Sequence, residues 1–235
     1  MLAASSLTLS PYREVLEAVV ADLFSFSKIC RTSLERAIGG LVQRDEDLLA
    51  RVIADDEDIG THLCRLDQDG VEVLAKYHPL ACDLRRVVAS MKINLALRAV
   101  AAQSVGIARK ALDLSPNAAL PEMHFIENNY EHVAAMLQDS VASFMNEDLS
   151  LARTMRARDR ALDEMNAFTG DRLVGRMGEH PGNLRDYVNL IFVSRHLERA
   201  GDLAANIAED AVYAIAAEDI RHLPSPKSVP MTPAG

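Results

Sequence analysis

The sequence predicts an all-α protein built as two tandem three-helix bundles, and three observations carry that reading. Apolar residues recur at spacings of three and four through six long segments. Hydrophobic residues form 49% of the chain while aromatics form 5% and Trp is absent, so the core must come from Ala, Leu, Val and Ile, which suits closely packed helices. The six segments also read as one unit written twice, as expected of stacked helical repeats. With 235 residues the chain can bury a sizeable core without disulfides or metal.

Ser10 followed by Pro11 gives an N-cap and a first-turn residue for a helix over 11–43. The acidic run Asp45 to Asp47 ends it and opens a second helix over 46–77. Pro79 marks the start of a third, over 79–112, and "DLSPN" with Pro121 separates it from a fourth over 120–146. Glu147 and Asp148 precede a fifth over 149–179, and Pro181 opens a sixth over 181–218. Past His222, "LPSPKSVPMTPAG" is rich in Pro and poor in apolar residues, the composition of a flexible tail. "LLARVIADDEDIG" resembles "LARTMRARDRALD", and "HPLACDLRRVV" with "LALRAVAAQSVGIA" resembles "HPGNLRDYVN" with "HLERAGDLAANIA". Asp56 and Asp159 are 103 residues apart and Pro79 and Pro181 are 102 apart, so the repeat is about a hundred residues long. The division is therefore an extension at 1–10, a first bundle at 11–114, a second at 115–222 and a tail at 223–235.

A net charge of −9, from 34 acidic against 25 basic residues, excludes a general nucleic-acid binder, which needs a basic face to displace counterions. It suits cation binding or basic partner surfaces. Cys30, Cys64 and Cys82 form no CxxC pair; their odd number points to a reducing compartment, with the thiols serving as small buried hydrophobes. The start "MLAASSLTLSPYR" lacks a signal-peptide pattern, and no stretch reaches the roughly 20 apolar residues of a membrane span. The expected location is the cytoplasm, without membrane insertion.

On the sixth helix Leu190, Val193, Leu197, Ala200, Ala204, Ile207 and Ala211 step by 3, 4, 3, 4, 3 and 4, a seam facing the bundle. Gly201 lies beside it; a mid-helix Gly costs about 1 kcal/mol against Ala, which makes sense where a neighbouring helix comes close. Glu198, Asp202, Asn206 and Glu209 fall on the outer face. Like charges at i and i+4 repel, and Arg195 and Arg199 are placed for ordinary surface ion pairs with Glu198 and Asp202. The fifth helix repeats the pattern with Asp159 and Asp163. If the two helices pack antiparallel, four carboxylates converge, a donor set suited to a hard cation.

These motifs resemble the PhoU family of phosphate-signalling regulators. "SRHLERAGDLAANIAEDAVYAIAAEDIRH" parallels the family's "ERxGD…NI" and terminal "(G/A)xDxRH" patterns, and "HPLACDLRRVVASMKI" its first-repeat "P.A.DLR…K" element. The resemblance spans about residues 12–222. It implies two tandem three-helix bundles, a homodimer or larger, no catalysis, and an adaptor role between a Pst-type phosphate ABC transporter and a PhoR-type sensor kinase that damps the phosphate-starvation response. It also implies metal, whether Fe, Zn, Mn or Mg, on (E/D)xxxD motifs. Asp159 with Asp163 and Glu198 with Asp202 match those motifs in the second repeat, and Asn206 and Glu209 are weaker matches. The first repeat departs: Asp56 remains, but Gly60, Arg98 and Ala102 stand at the other three positions. No metal is expected there, and Arg98 is expected to pair with Asp56 or Asp55.

A di-iron oxidase would need ExxH pairs, and none occurs. There is no GxxxxGK[ST] loop and no GxSxG elbow, so kinase and hydrolase chemistry has no visible apparatus. His196, beside the acidic motif, reads as a solvated side chain, and "RDEDLLARVIADDEDIG" as a solvated face or a docking surface for basic segments. The alternative to an adaptor is a metal-storage protein or metal-dependent enzyme using the second-repeat carboxylates. A phosphate sensor is disfavoured by the lack of a basic or Gly-rich anion nest.

Overall fold

The computed structural model describes residues 11–115 and 120–221. Ser10, the proposed extension at 1–10 and the proposed tail at 223–235 lie outside the described residues. Among those described, helix is the only regular structure: α1 (Pro11–Gln43), α2 (Glu46–Ala54), α3 (Asp56–Tyr77), α4 (Ala81–Leu112), α5 (Met123–Met145), α6 (Leu149–Glu179), a 3-10 turn (Pro181–Asn183) and α7 (Leu184–Ala216). They make six long rods, the second interrupted at Asp55 into α2 and α3. No described helix is long and apolar enough to cross a membrane.

The interruption corrects the single helix expected over 46–77. Asp55 still donates its N–H to Arg51 O at 2.9 Å and accepts from Ile59 N at 3.1 Å, so the axis bends without unravelling. Of four consecutive acids, Asp55 to Asp58, the three Asp are poor helix-interior residues, and all four are favourable at a helix N-terminus, where the macrodipole is positive. Breaking there converts them into a first turn. The 3-10 turn likewise delays α7 to Leu184 where a helix from 181 was expected.

The two halves share their punctuation. Asp45 caps α2 by accepting from Leu48 N at 2.9 Å, and Asp148 caps α6 by accepting from Leu151 N at 2.9 Å. The residues before these caps, Arg44 and Glu147, both adopt left-handed φ, 57° and 55°. An ion pair repeats with its charges exchanged: Arg36 meets Asp55 at 3.4 Å, and Asp139 meets Arg158 at 2.6 Å.

The bundles join along α4 and α7, the most extensive helix pair. The two run antiparallel, since Arg85 Nε donates to Ala214 O at 3.3 Å, Lys92 pairs with Asp210 at 2.9 Å, Gln103 with His196 at 2.9 Å, and Asn189 with Asp113 O at 3.4 Å. Gly106 on α4 lets the axes approach, since a Cβ there would stand 2.3 Å from His196 Cε1 on α7. The α7 seam from Leu190 to Ala211 is fully buried as its spacing requires. Of the thiols only Cys30 is buried; Cys64 and Cys82 are exposed, a correction that follows from Cys64 lying off the α3 core stripe of Ile59, Leu66 and Val73 and Cys82 opening α4.

Candidate functional site

Helices α6 and α7 pack antiparallel, and their cross-links bracket the predicted acidic residues. Arg153 pairs with Glu218 at 2.6 Å, Arg156 with Glu209 at 3.5 Å, and Asn166 Nδ2 donates to Glu198 Oε2 at 2.5 Å. Asp159 and Asp163 lie between the last two rungs on α6, and Asp202 and Asn206 between them on α7. Gly201 makes the close packing possible: a Cβ there would stand 2.1 Å from Leu162 Cδ2.

The electrostatics follow. Asp159 is half-buried, and burial, followed by Asp202, Asp163, Glu209 and Glu198, pushes its carboxyl up from the ordinary 3.8 to about 6. Its Oδ1 is buried without a hydrogen-bond partner among the described residues. The Asp202 carboxyl, which still reaches solvent, is raised by partial burial and then by Glu198 and Asp163, with Arg199 opposing. Glu198 is engaged by Asn166 and by Arg195 at 3.0 Å, both on Oε2. Glu209 is held by Arg156, whose guanidinium also donates to Ile220 O and so ties the segment after α7 to α6. Asp163 and Asn206 are exposed. The six residues thus share one patch, but among the described residues no three His, Cys, Asp or Glu side chains stand in metal-holding geometry as placed.

The first-repeat counterpart is a salt bridge. Arg98 Nη2 donates to Asp56 Oδ2 at 3.1 Å, while Nη1 lies 3.0 Å from Oδ1 at an angle too oblique for a second hydrogen bond. Its guanidinium covers Gly60, where a Cβ would sit 3.7 Å from Nε, and Ala102 is exposed. Asp55 goes to Arg36 instead.

His196 departs from the solvated side chain expected. It is half-buried against α4, pairs with Gln103 Oε1 through Nδ1 at 2.9 Å, and fits only because Gly106 has no side chain; a Cβ there would be 2.3 Å from His196 Cε1. Burial, then the charges of Arg199 and Lys110, holds its pKa below the ordinary 6.5.

Sequence reasoning passed over the polar groups behind the patch. Asn129, Asn166, Thr169 and Ser194 are buried together. Asn129 Nδ2 donates to Thr169 Oγ1 and to Ser194 Oγ, each at 3.3 Å, and Ser194 donates to Asn166 Oδ1. A signal existed: Leu162, Asn166, Thr169 and Leu173 step by 4, 3 and 4, so two polar residues occupy core positions of α6.

A family model described as the PhoU domain matches this chain twice, at residues 23–111 and 126–211. A relative from Caulobacter vibrioides, described as a phosphate-specific transport system accessory protein PhoU homolog, is 30% identical over 217 residues, covering 91% of this chain and 93% of its own. A Pseudomonas putida relative with the same description is 28% identical, covering 88% and 82%. Among solved structures, PhoU from Pseudomonas aeruginosa superposes with a TM-score of 0.83 at 26% identity, covering 88% of this chain and all of that one, 100%. The phosphate transport system regulatory protein PhoU from Streptococcus pneumoniae gives a TM-score of 0.83 at 21% identity, covering 89% and 99%, a likeness of fold. With two copies of the domain filling most of its length, this chain belongs to the PhoU family.

Proposed function

We propose that this chain is a non-enzymatic regulator of phosphate uptake and of phosphate-starvation signalling, acting in the cytoplasm as a homodimeric adaptor between a Pst-type phosphate transporter and a PhoR-type sensor kinase. The observation that carries the reading is the accessory-protein description shared by relatives that align with about nine-tenths of the chain, 91% and 88%. The acidic surface supports it, since a net charge of −9 favours docking on basic segments of partners. In a strain lacking the gene, a phosphate-starvation reporter should be active in phosphate-rich medium and fall silent when the gene returns. A reporter indifferent to the gene refutes the regulatory role. Copurification of transporter subunits and of the kinase tests the adaptor role separately, and sedimentation tests the dimer.

A second element rests on Asp159. A buried carboxylate oxygen without a partner, facing four further acidic groups, is costly unless a cation neutralises it. Asp159, Asp163, Glu198 and Asp202, with Asn206 and Glu209 beside them, form an all-oxygen donor set that fits a hard cation such as Fe, Mn or Mg better than a softer one, with Zn the less favoured choice. A bound ion would neutralise the patch and cross-brace α6 to α7. The paired Arg98 and Asp56 leave the first repeat no equivalent. Elemental analysis of the purified protein beside an Asp159→Ala/Asp202→Ala variant is the test; equal metal in both removes the site.

A further inference from the structure

The buried polar chain in the second bundle ends on one carboxylate, and its donors all point the same way. Asn129 donates to Ser194, Ser194 donates to Asn166, and Asn166 donates to Glu198 Oε2. The orientation of Asn166 is forced: a carboxylate only accepts, so the amide nitrogen must face Glu198 and the amide oxygen must face the Ser194 hydroxyl. Each donation polarises the next, which strengthens the last bond, the one to an anion. Thr169, which takes the other N–H of Asn129, donates in turn to Met165 O at 2.8 Å and anchors the chain's inner end.

The chain also leaves the carboxylate half free. Asn166 and Arg195 both address Oε2, and Oε1 has no partner among the described residues. A carboxylate whose one oxygen is pinned presents the other in a fixed direction.

The first bundle is the internal control. Where the second has Asn129, Asn166 and Thr169, the positions 103 residues earlier hold Phe26, Leu63 and Leu66, the ordinary apolar filling of a helix bundle. Ser194 corresponds to Asn94, 100 residues earlier, which is buried with its Oδ1 unpartnered, and Glu198 corresponds to Arg98. Four buried polar groups thus accompany the repeat that keeps the carboxylate, while the repeat that lost it is largely apolar there. Buried polar networks stabilise less than well-packed apolar side chains of the same volume, so stability alone does not account for this one.

We propose that Asn166, held by Ser194 and through it by Asn129 and Thr169, is a positioning residue that fixes the Glu198 carboxylate on Oε2 and presents Oε1 to a cation on the α6–α7 patch. The cation part rests on the reading of the acidic patch given above; the positioning part does not. Outer groups of this kind set the orientation of ligating carboxylates, and their loss typically weakens metal binding by about 10–100-fold.

The test uses the full chain, Asn166→Leu, which copies Leu63 of the first repeat, and Ser194→Ala as a milder variant should Asn166→Leu fail to fold. Side-chain NMR couplings of Glu198 in metal-free protein report its rotamer, and calorimetric titration with Mn2+ alone reports affinity. Wild type should show one Glu198 rotamer, and both variants should show averaged couplings with wild-type helicity by circular dichroism. Mn2+ affinity should fall about 10-fold or more in Asn166→Leu and less in Ser194→Ala. Identical couplings in wild type and Asn166→Leu overturn the positioning role whatever Mn2+ does. Averaged couplings in the variants with no Mn2+ binding by wild type keep the positioning role and overturn its cation. Averaged couplings with Mn2+ affinity unchanged also overturn the link between Asn166 and the cation.

Discussion

Replacing Asp159 by Asn removes one charge from the α6–α7 patch while keeping the shape of the side chain. Folding raises this carboxyl from 3.8 to about 6, so its ionisation works against the fold. Between those values the unfolded chain has lost the proton and the folded chain still holds it, so stability falls as pH rises through that window. Below about 4 the penalty is absent, and above about 6 it is complete. A shift of this size carries about 3 kcal/mol for a group fully removed from water. Asp159 is only half-buried, and solvent screening reduces the figure to about 1 kcal/mol. For a chain of this length that is a rise of about 2–4 °C in Tm for Asp159→Asn at pH 8. Scanning calorimetry with a chelator present, at pH 8 and at pH 4, measures it. The gain should be present at the higher pH and vanish at the lower; Mn2+ should reverse the order at pH 8, since a cation cancels the repulsion in wild type and finds one ligand fewer in the variant. A variant no more stable than wild type at pH 8 with chelator, or equally stabilised at both pH values, refutes the reasoning.

Gly201→Ala forces a methyl to 2.1 Å from Leu162 Cδ2, and because Leu162 is itself buried, overpacking of about 1–3 kcal/mol should outweigh the gain of about 1 kcal/mol in helix propensity; chemical denaturation should show a net loss, and a gain would mean the α6–α7 contact is looser than described. Gly106→Ala expels His196 from its seat beside Gln103, so the imidazole titration followed by NMR should move up from below 6.5 toward its ordinary value, and an unmoved midpoint would mean His196 is already solvated in the wild type. Arg98→Glu sets a second acid against Asp56 in a partly buried position and should cost about 1–3 kcal/mol in the metal-free protein, read as a lower midpoint in urea; no loss of stability and no gain in metal content would remove the pairing role of Arg98.

The seam of α7 was legible because a heptad of Leu, Val, Ile and Ala has one way to bury itself, and Leu190 through Ala211 do so. The breaks at Asp45 and Asp148 were legible from the acidic runs there, and the structure makes each residue a cap whose side-chain oxygen accepts from a backbone N–H three residues on, a purely local event. The break at Asp55 was missed because periodicity passes through it unchanged; the signal that favours it is the clustering of four acids, which suits a helix N-terminus better than a helix interior. His196 was misjudged because its surroundings come from α4, about ninety residues away in the chain, and depend on a glycine whose importance shows only when the two helices meet. In the candidate site, the identities of the carboxylates were plain from spacing, whereas the donors that hold them were not. Asn166, Arg156 and Ser194 belong to residue classes that ordinarily face water, and only the buried stripes mark two of those positions as core, Asn166 on α6 and Ser194 on α7.

The contrast between the halves argues that the acidic patch is more than solvated surface. A surface carboxylate cluster that did nothing would be free to acquire bases, and the first repeat shows what that relaxed state looks like: Arg98 reaches across to Asp56, and the shell behind it closes with Phe26, Leu63 and Leu66. The same backbone in the second repeat keeps the repulsion, with Asp159 half-buried among its like, and spends core positions on Asn129, Asn166 and Thr169. The first opposes stability through electrostatics, and the second stabilises less than apolar packing of the same volume would. Arg156 and Arg195 stand close enough to neutralise part of the patch, yet each engages its edge, Glu209 and Glu198, and leaves Asp159 Oδ1 at its centre without a partner. Under the cation reading proposed above, the repulsion centred on Asp159 and the polar residues behind Glu198 belong to one device, whereas the first repeat pairs its carboxylate with Arg98 and keeps in that shell only Asn94, whose Oδ1 is buried without a partner.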